Sequence, residues 1–96
     1  MNLDSKAKII VADDDLDLCE LLEMKLRQSN FDVRTVMDGL QTLGMLRSFQ
    51  PDLIILDIMM PSMSGMEVLS QMRSEPAIAA IPVILMTAKR QEKDVN

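Results

Sequence analysis

Apolar and polar positions alternate along the chain in blocks that predict strands and helices by turns. The apolar runs at 8–12, 52–57 and 81–87 have the length and the Ile and Val content of strands. Residues 31–36, FDVRTV, alternate apolar and polar side chains, which is typical of an edge strand. The intervals between these runs carry apolar residues at helical spacing, so the predicted order is β-α-β-α-β-α-β.

The three helical intervals are indicated by their periodicity and by the residues that start them. Leu18, Leu22 and Leu26 recur at i, i+4 and i+8, with Leu21 beside them, and form one apolar face. Pro76 lies beyond the third interval, where a helix is expected to have ended. Each interval follows a residue suited to cap a helix: Asp15, Asp38 and Ser64. Ser64 and Glu67 together fit a capping box.

Strands that alternate with helices predict an α/β fold, a doubly wound parallel sheet with helices on both faces. The 96 residues are expected to form one domain, 1–96. A net charge of −5 argues against a nucleic-acid-binding surface on this stretch. The single cysteine, Cys19, predicts an inert core thiol and a cytoplasmic setting. The sequence shows neither an apolar run long enough to cross a bilayer nor a signal peptide, so no membrane partner is expected.

Candidate chemistry lies where the strands end, because ligands of such folds bind outside the carboxyl ends of the strands. Asp13 and Asp14 follow the first strand, and Asp57 ends the third. If these two strands are neighbours, the three carboxylates meet. Two unit charges about 4 Å apart at an effective dielectric of about 20 repel by roughly 4 kcal/mol. Either a carboxylate takes up a proton or a cation binds, and oxygen ligands without histidine favour Mg²⁺.

A carboxylate beside a metal ion can act as a nucleophile and form an aspartyl phosphate, and Asp57 is the candidate. Thr87, at the end of the fourth strand, could bind a phosphoryl oxygen with its hydroxyl, and Ala88 with its backbone N–H. Simpler interpretations stay open for each residue alone. The aspartates at 13–15 could only cap a helix, Asp57 could be an exposed end of a strand, and Thr87 could be a turn residue. The methionines at 59, 60, 63 and 66 are expected to pack in the core and loop.

Three stretches together resemble the receiver domain of bacterial two-component response regulators, from the first predicted strand to the last residue. They are IIVADDD, DLIILDIMMPSMSGMEVL and IPVILMTA. They supply an acidic pair, an Asp-x-x-x-Pro-x-x-x-Gly motif and a Thr-Ala pair in the order typical of that family.

The resemblance implies a role for each site residue. Asp57 would accept a phosphoryl group from a sensor histidine kinase or a phosphotransfer protein. Asp14 would bind Mg²⁺ directly, and Asp13 largely through water. The backbone carbonyl of Met59 would be a further ligand, and Thr87 would bind the phosphoryl group and shift inward as a switch.

The resemblance also implies a flavodoxin-like sheet of order 2-1-3-4-5, of which this chain would hold 2-1-3-4. The chain ends nine residues after Thr87, so most of a fourth helix, a fifth strand with its lysine and aromatic switch residue, and a fifth helix would be absent. The fourth strand, 81–86, would then be an exposed apolar edge that favours self-association or a segment swap.

Three functions compete. The leading one is a phosphoacceptor module that is not an enzyme with turnover. The second is a Mg²⁺-dependent aspartyl-phosphate phosphatase or phosphotransferase of the haloacid-dehalogenase type. Such enzymes need an acid two residues after the nucleophile, where this chain has Met59. The third is a truncated receiver that accepts no phosphate and acts as an interaction module.

Overall fold

The fold is a four-stranded parallel sheet with helices on both faces, seen in a computed structural model that describes residues 5–86. The strand order is β2-β1-β3-β4, so the predicted doubly wound sheet of order 2-1-3-4 is confirmed. The elements, in chain order, are β1 (Lys8–Ala12), α1 (Leu16–Gln28), β2 (Asp32–Val36), α2 (Gly39–Phe49), β3 (Leu53–Asp57), α3 (Gly65–Arg73) and β4 (Val83–Met86).

Strand β1 lies at the centre of the sheet because both of its faces are apolar. Its residue Ile10 pairs with Arg34 of β2 on one side and with Ile54 of β3 on the other. Strand β2 is an edge strand, as its alternating pattern predicts: Val33 is buried and Arg34 is exposed. Parallel pairing brings the carboxyl ends of all four strands to one rim of the sheet.

Two apolar cores form because successive strand residues point to opposite faces. On one face Ile9 and Val11 pack with Cys19 of α1. On the other face Ile10 joins a larger core with residues of α2 and α3, and these partners are all buried: Leu43, Leu46, Val68 and Met72. The prediction that Cys19 lies in the core is confirmed by its 2% exposure.

The predicted caps all form hydrogen bonds with the first turns of their helices. The Leu18 N–H donates to Asp15 Oδ1 at 3.2 Å, and the Gln41 N–H donates to Asp38 Oδ1 at 2.8 Å. Ser64 heads the predicted capping box of α3. These caps satisfy N–H groups that have no partner within a helix, and so fix where each helix begins.

Two details differ from the prediction. Leu21 is 45% exposed, so it lies outside the apolar face to which its position assigned it. The spacing of Leu40, Leu43 and Leu46 likewise predicts a shared face in the second helix, but Leu40 is 59% exposed. The fourth strand begins at Val83 rather than at residue 81. Pro82 has no N–H for the ladder, although its carbonyl oxygen accepts a hydrogen bond from the Ile54 N–H at 3.1 Å.

Candidate functional site

Three carboxylates meet at the rim, where the adjacent strands β1 and β3 end. One oxygen from each of Asp13, Asp14 and Asp57 lies within 4.8 Å of the other two. The pairing of Ala12 with Leu56 brings the first residue after β1 level with the last residue of β3. The convergence expected from the sequence is therefore confirmed, because the two strands are neighbours.

Two of the three carboxylates in this cluster are buried and accept hydrogen bonds from backbone N–H groups. Asp13 and Asp57 are both 0% exposed. Asp13 Oδ1 accepts a hydrogen bond from the Asp15 N–H at 2.9 Å, and Asp57 Oδ1 accepts one from the Met59 N–H at 3.2 Å. Such hydrogen bonds fix the plane of each carboxylate. Both groups are thus oriented before any ligand arrives.

The backbone of Asp13 is itself anchored on two sides. Its N–H donates to the Val36 carbonyl oxygen at 3.0 Å. Its carbonyl oxygen accepts a hydrogen bond from the Cys19 thiol at 3.2 Å. The sequence offered no sign of this thiol contact, because the leucines around Cys19 indicate only burial. The hydrogen bond from the Cys19 thiol therefore links the backbone of Asp13 to the core that packs under α1.

Asp14 provides the open side of the cluster. Within residues 5–86, its Oδ1 is a buried side-chain oxygen with no hydrogen-bond partner. The side chain lines a cavity of about 470 Å³. A buried anionic oxygen without a donor is costly, and a bound cation would remove that cost. The donor set, three carboxylates without His or Cys ligands, suits a hard divalent ion that prefers oxygen. The residues present therefore fit a metal ion of the Mg²⁺ type.

The loop between β3 and α3, residues 58–64, forms the wall of the cavity. Four of its residues line the space with Asp14: Ile58, Met59, Met60 and Ser64. The sequence had identified only Met59 and Ser64 among them, because Ile58 and Met60 carry no chemical signal. Met59 contributes an N–H to Asp57 and a side chain that is 53% exposed.

Gly65 lets this loop turn back against the acceptor strand. Its N–H donates to the Ile58 carbonyl oxygen at 2.7 Å. A Cβ at this position would overlap the Asp57 carbonyl oxygen and would come within 2.8 Å of the carbonyl carbon. The glycine that ends the Asp-x-x-x-Pro-x-x-x-Gly motif is thus required for the close approach of the loop to Asp57.

Two predictions about the site have other outcomes. Of the methionines expected to pack in the core and loop, Met60 and Met63 pack partly against the core, Met59 lies in the loop with 53% exposure, and Met66 is 50% exposed on α3. Thr87 and Ala88 lie outside the described residues, so their predicted contacts with a phosphoryl group stay predictions. In the described part of the chain, no helix is long and apolar enough to cross a membrane.

Known proteins share both the sequence and the fold. The DNA-binding response regulator MtrA of Mycolicibacterium paratuberculosis is 38% identical over 90 residues, which are 94% of this chain and 39% of MtrA. The N-terminal domain of a response regulator receiver protein from Methanoculleus marisnigri superposes with a TM-score of 0.81 at 30% identity, covering 93% of this chain and 76% of that one. For the phosphorylated cyanobacterial phytochrome response regulator RcpA, the TM-score is 0.80 at 31% identity, covering 95% and 71% of the two chains.

The chain therefore spans about two fifths of the length of its curated relative MtrA. The family model of the response regulator receiver domain matches residues 9–96. The acidic cluster, the strand order and these matches agree, and the chain belongs to the receiver domain family of two-component response regulators.

Proposed function

We propose that this chain is a phosphoacceptor module, in which Asp57 takes a phosphoryl group from a phosphohistidine of a sensor kinase or phosphotransfer protein in the cytoplasm. Mg²⁺ would be held by Asp13, Asp14, Asp57 and the Met59 carbonyl oxygen. The observation that carries the proposal is Asp14 Oδ1, which is buried and has no hydrogen-bond partner among residues 5–86, on a residue that clusters with Asp13 and Asp57. A site evolved only for stability would give that oxygen a donor.

In the transfer step, an Asp57 carboxylate oxygen forms a bond to phosphorus while the bond from phosphorus to the histidine nitrogen breaks. The nitrogen keeps the electron pair of that bond, and the imidazole leaves neutral because its other ring nitrogen carries a proton. The hydrogen bond from the Met59 N–H to Asp57 Oδ1 holds the carboxylate plane during this exchange. When bound, Mg²⁺ supplies charge neutralisation between the carboxylates and the phosphoryl oxygens.

The end of β4 favours Thr87 and Ala88 as further phosphoryl ligands. Met86 is the register partner of Asp57, so position 87 follows directly after the strand residue beside the acceptor. A hydroxyl and a backbone N–H at that point would bind oxygens of the phosphoryl group, and an inward shift of Thr87 would report its presence. RcpA, one of the solved neighbours, is described in its phosphorylated form, which supports the same chemistry for this chain.

We propose that the module is not an enzyme with turnover. A phosphatase of the aspartyl-phosphate class needs an acid to protonate the leaving group. The residue two positions after Asp57 is Met59, whose thioether cannot transfer a proton. The Asp57 phosphoryl group is therefore expected to persist until water or a partner removes it, which suits a signal rather than a reaction cycle.

Phosphorylation of the intact chain tests the proposal. Three chains are treated with acetyl phosphate and Mg²⁺: the wild type, Asp57→Asn and the control Asp52→Asn. The intact mass of each is then measured by mass spectrometry. Asp52 lies exposed just before β3, at the end of the strand away from the cluster. We expect the wild type and Asp52→Asn to gain one phosphoryl group and Asp57→Asn to gain none. Equal labelling of all three chains, or of none, would overturn the proposal.

A second candidate role, as an interaction module, is favoured by the exposed apolar residues of β4. Ile84 and Leu85 are 52% and 38% exposed. Ile84 pairs with Ile55, which packs against the core under α1. We propose that the 96-residue chain self-associates along 81–86, by strand pairing or by a segment swap.

Sedimentation velocity over a range of concentrations tests self-association. The wild type is expected to form larger species as its concentration rises, and Ile84→Lys should stay monomeric. Leu40→Lys is the matched control, because Leu40 is also exposed and apolar but lies on α2. A wild type that stays monomeric throughout, or equal loss of association in both variants, would exclude this role for β4.

A further inference from the structure

The first residue of α2 lies directly against the loop that forms the wall of the cavity. A Cβ on Gly39 would lie 2.6 Å from Met63 Cβ and 2.8 Å from the Met63 carbonyl carbon, and would overlap the Met63 carbonyl oxygen. The Gly39 N–H points at the Pro61 carbonyl oxygen, 3.4 Å away. Gly44, in the same helix, would meet nothing within 4 Å. Only one of the two glycines is therefore required for close packing.

The inner part of the loop is fixed to the sheet and to α3. The Ile58 N–H donates to the Met86 carbonyl oxygen at 3.2 Å, and the Gly65 N–H donates to the Ile58 carbonyl oxygen at 2.7 Å. Met59 lies between these anchors, and its N–H bonds to Asp57. Because both ends of the loop are anchored, a displacement of its outer part must be taken up by the residues between the anchors. These include Met59, which borders Asp57.

The outer part of the loop, residues 61–63, has a conformation that needs support from outside. Ser62 has a φ of 63°, a left-handed conformation that costs a residue other than glycine free energy. Such a residue persists only where its surroundings hold it in place. The Met63 side chain packs partly against the core. The start of α2 meets the backbone of this segment through Gly39, whose N–H faces the Pro61 carbonyl oxygen and whose Cα lies against Met63.

We propose that Gly39 is a positioning residue for the phosphoacceptor site. Its missing side chain lets the start of α2 support residues 61–63, and this support sets where the Met59 carbonyl oxygen and the cavity wall lie relative to Asp57. The inference rests on the proposed function for its effect on metal binding, whereas the support of the loop stands without it.

The coupling is reciprocal, because two linked equilibria shift each other by the same factor. If a change at residue 39 alters Mg²⁺ binding through the loop, Mg²⁺ binding alters the first turn of α2 through the same contact. The start of α2 is thereby a part of the surface that senses the state of the site.

Paired glycine substitutions separate the contact from helix propensity. Gly39→Ala and Gly44→Ala both put a better helix former into α2, but only the first meets Met63. Amide hydrogen exchange over 58–64 is measured without metal, and Mg²⁺ affinity is measured by calorimetry. For Gly39→Ala we expect faster exchange in the loop and a Kd about tenfold weaker, the size typical of residues that orient metal ligands. Gly44→Ala should match the wild type in both.

A second measurement needs no variant at residue 39 and so covers the case in which Gly39→Ala does not fold. Saturating Mg²⁺ is added to the wild type and to Asp57→Asn, and amide signals are followed by NMR. The signals of residues 38–42 should shift in the wild type and stay in place in Asp57→Asn. Where Gly39→Ala does fold, Ser62→Gly gives a further check. It removes the cost of the left-handed conformation and should restore part of the Mg²⁺ affinity in the Gly39→Ala background.

The outcomes distinguish the two proposals. Absent Mg²⁺ binding in the wild type, with faster loop exchange in Gly39→Ala, would overturn the proposed function and keep the support of the loop. Normal binding in the wild type, with Gly39→Ala indistinguishable from Gly44→Ala or with no shift at 38–42, would overturn the positioning role of Gly39.

Discussion

Replacement of Asp57 by Asn is expected to stabilise the metal-free chain, because it removes one charge from the acidic cluster. The three oxygens lie within 4.8 Å of one another, and a pair of unit charges at that distance repels by about 3.5 kcal/mol at an effective dielectric of about 20. Asp57 takes part in two such pairs. The Asn amide oxygen still accepts the Met59 N–H, at a loss of about 1 kcal/mol for the weaker neutral bond.

The net gain in the free energy of unfolding should be about 1 to 3 kcal/mol, because solvent around the half-exposed Asp14 screens part of the repulsion. Urea unfolding in EDTA at neutral pH, followed by circular dichroism, measures it, since the chain has no Trp or Tyr for fluorescence. Glu20→Gln, on the exposed side of α1, is the control and should shift the midpoint little.

Added Mg²⁺ should offset the stability advantage of Asp57→Asn. A ligand at about 100 times its Kd stabilises the folded state by about 2.7 kcal/mol, and the wild type has the complete ligand set. The wild type is therefore expected to gain most of this amount and Asp57→Asn much less. A metal-free Asp57→Asn chain that is less stable than the wild type, or equal stabilisation of both by Mg²⁺, would refute the picture of mutually repelling carboxylates.

Three further predictions concern stability. Ser64→Ala removes the capping box of α3 and should cost about 1 kcal/mol in urea unfolding, whereas Ser70→Ala on the exposed side of the helix should cost little. Met72→Ala empties a fully buried position and should cost about 2 to 5 kcal/mol in the same assay; a cost near zero would mean that the core there is loosely packed. Hydrogen bonding to Arg47 lowers the pKa of Glu75, so the ion pair stabilises the fold above the ordinary Glu value of 4.5 and this contribution is lost as the pH falls through the lowered pKa. The stability difference between the wild type and Glu75→Gln should therefore shrink on acidification, and a difference that grows would contradict the sign.

The parts of the fold that could be predicted from the sequence are those that depend on neighbours in the chain. Asp15, Asp38 and Ser64 cap helices through bonds to residues three positions on, so the pattern contains all the information needed. Periodicity also finds an apolar stripe, but it does not fix how the helix is rotated against the sheet. Leu21 and Leu40 are exposed for that reason.

The candidate site could be predicted in part. Strand ends identify Asp13, Asp14 and Asp57, but their approach to 4.8 Å depends on β1 lying beside β3, which the resemblance supplied and the periodicity alone did not. The contact between Gly39 and Met63 joins residues that are distant in the chain, and nothing local to either one indicates it. Asp14 Oδ1 has no hydrogen-bond partner in the described part of the chain, and this too is visible only in the assembled structure.

The position of β1 at the centre of the sheet has a consequence for synthesis on the ribosome. β1 emerges first and can pair with β2 once residue 36 has left the exit tunnel, but its second edge stays bare until β3 follows. During that interval a nascent chain presents the apolar run KIIVA with an open edge, which is prone to pair with other chains. Emergence of β3 from the tunnel closes that edge and brings Asp57 beside Asp13 and Asp14, so loss of the aggregation hazard and assembly of the acidic cluster coincide.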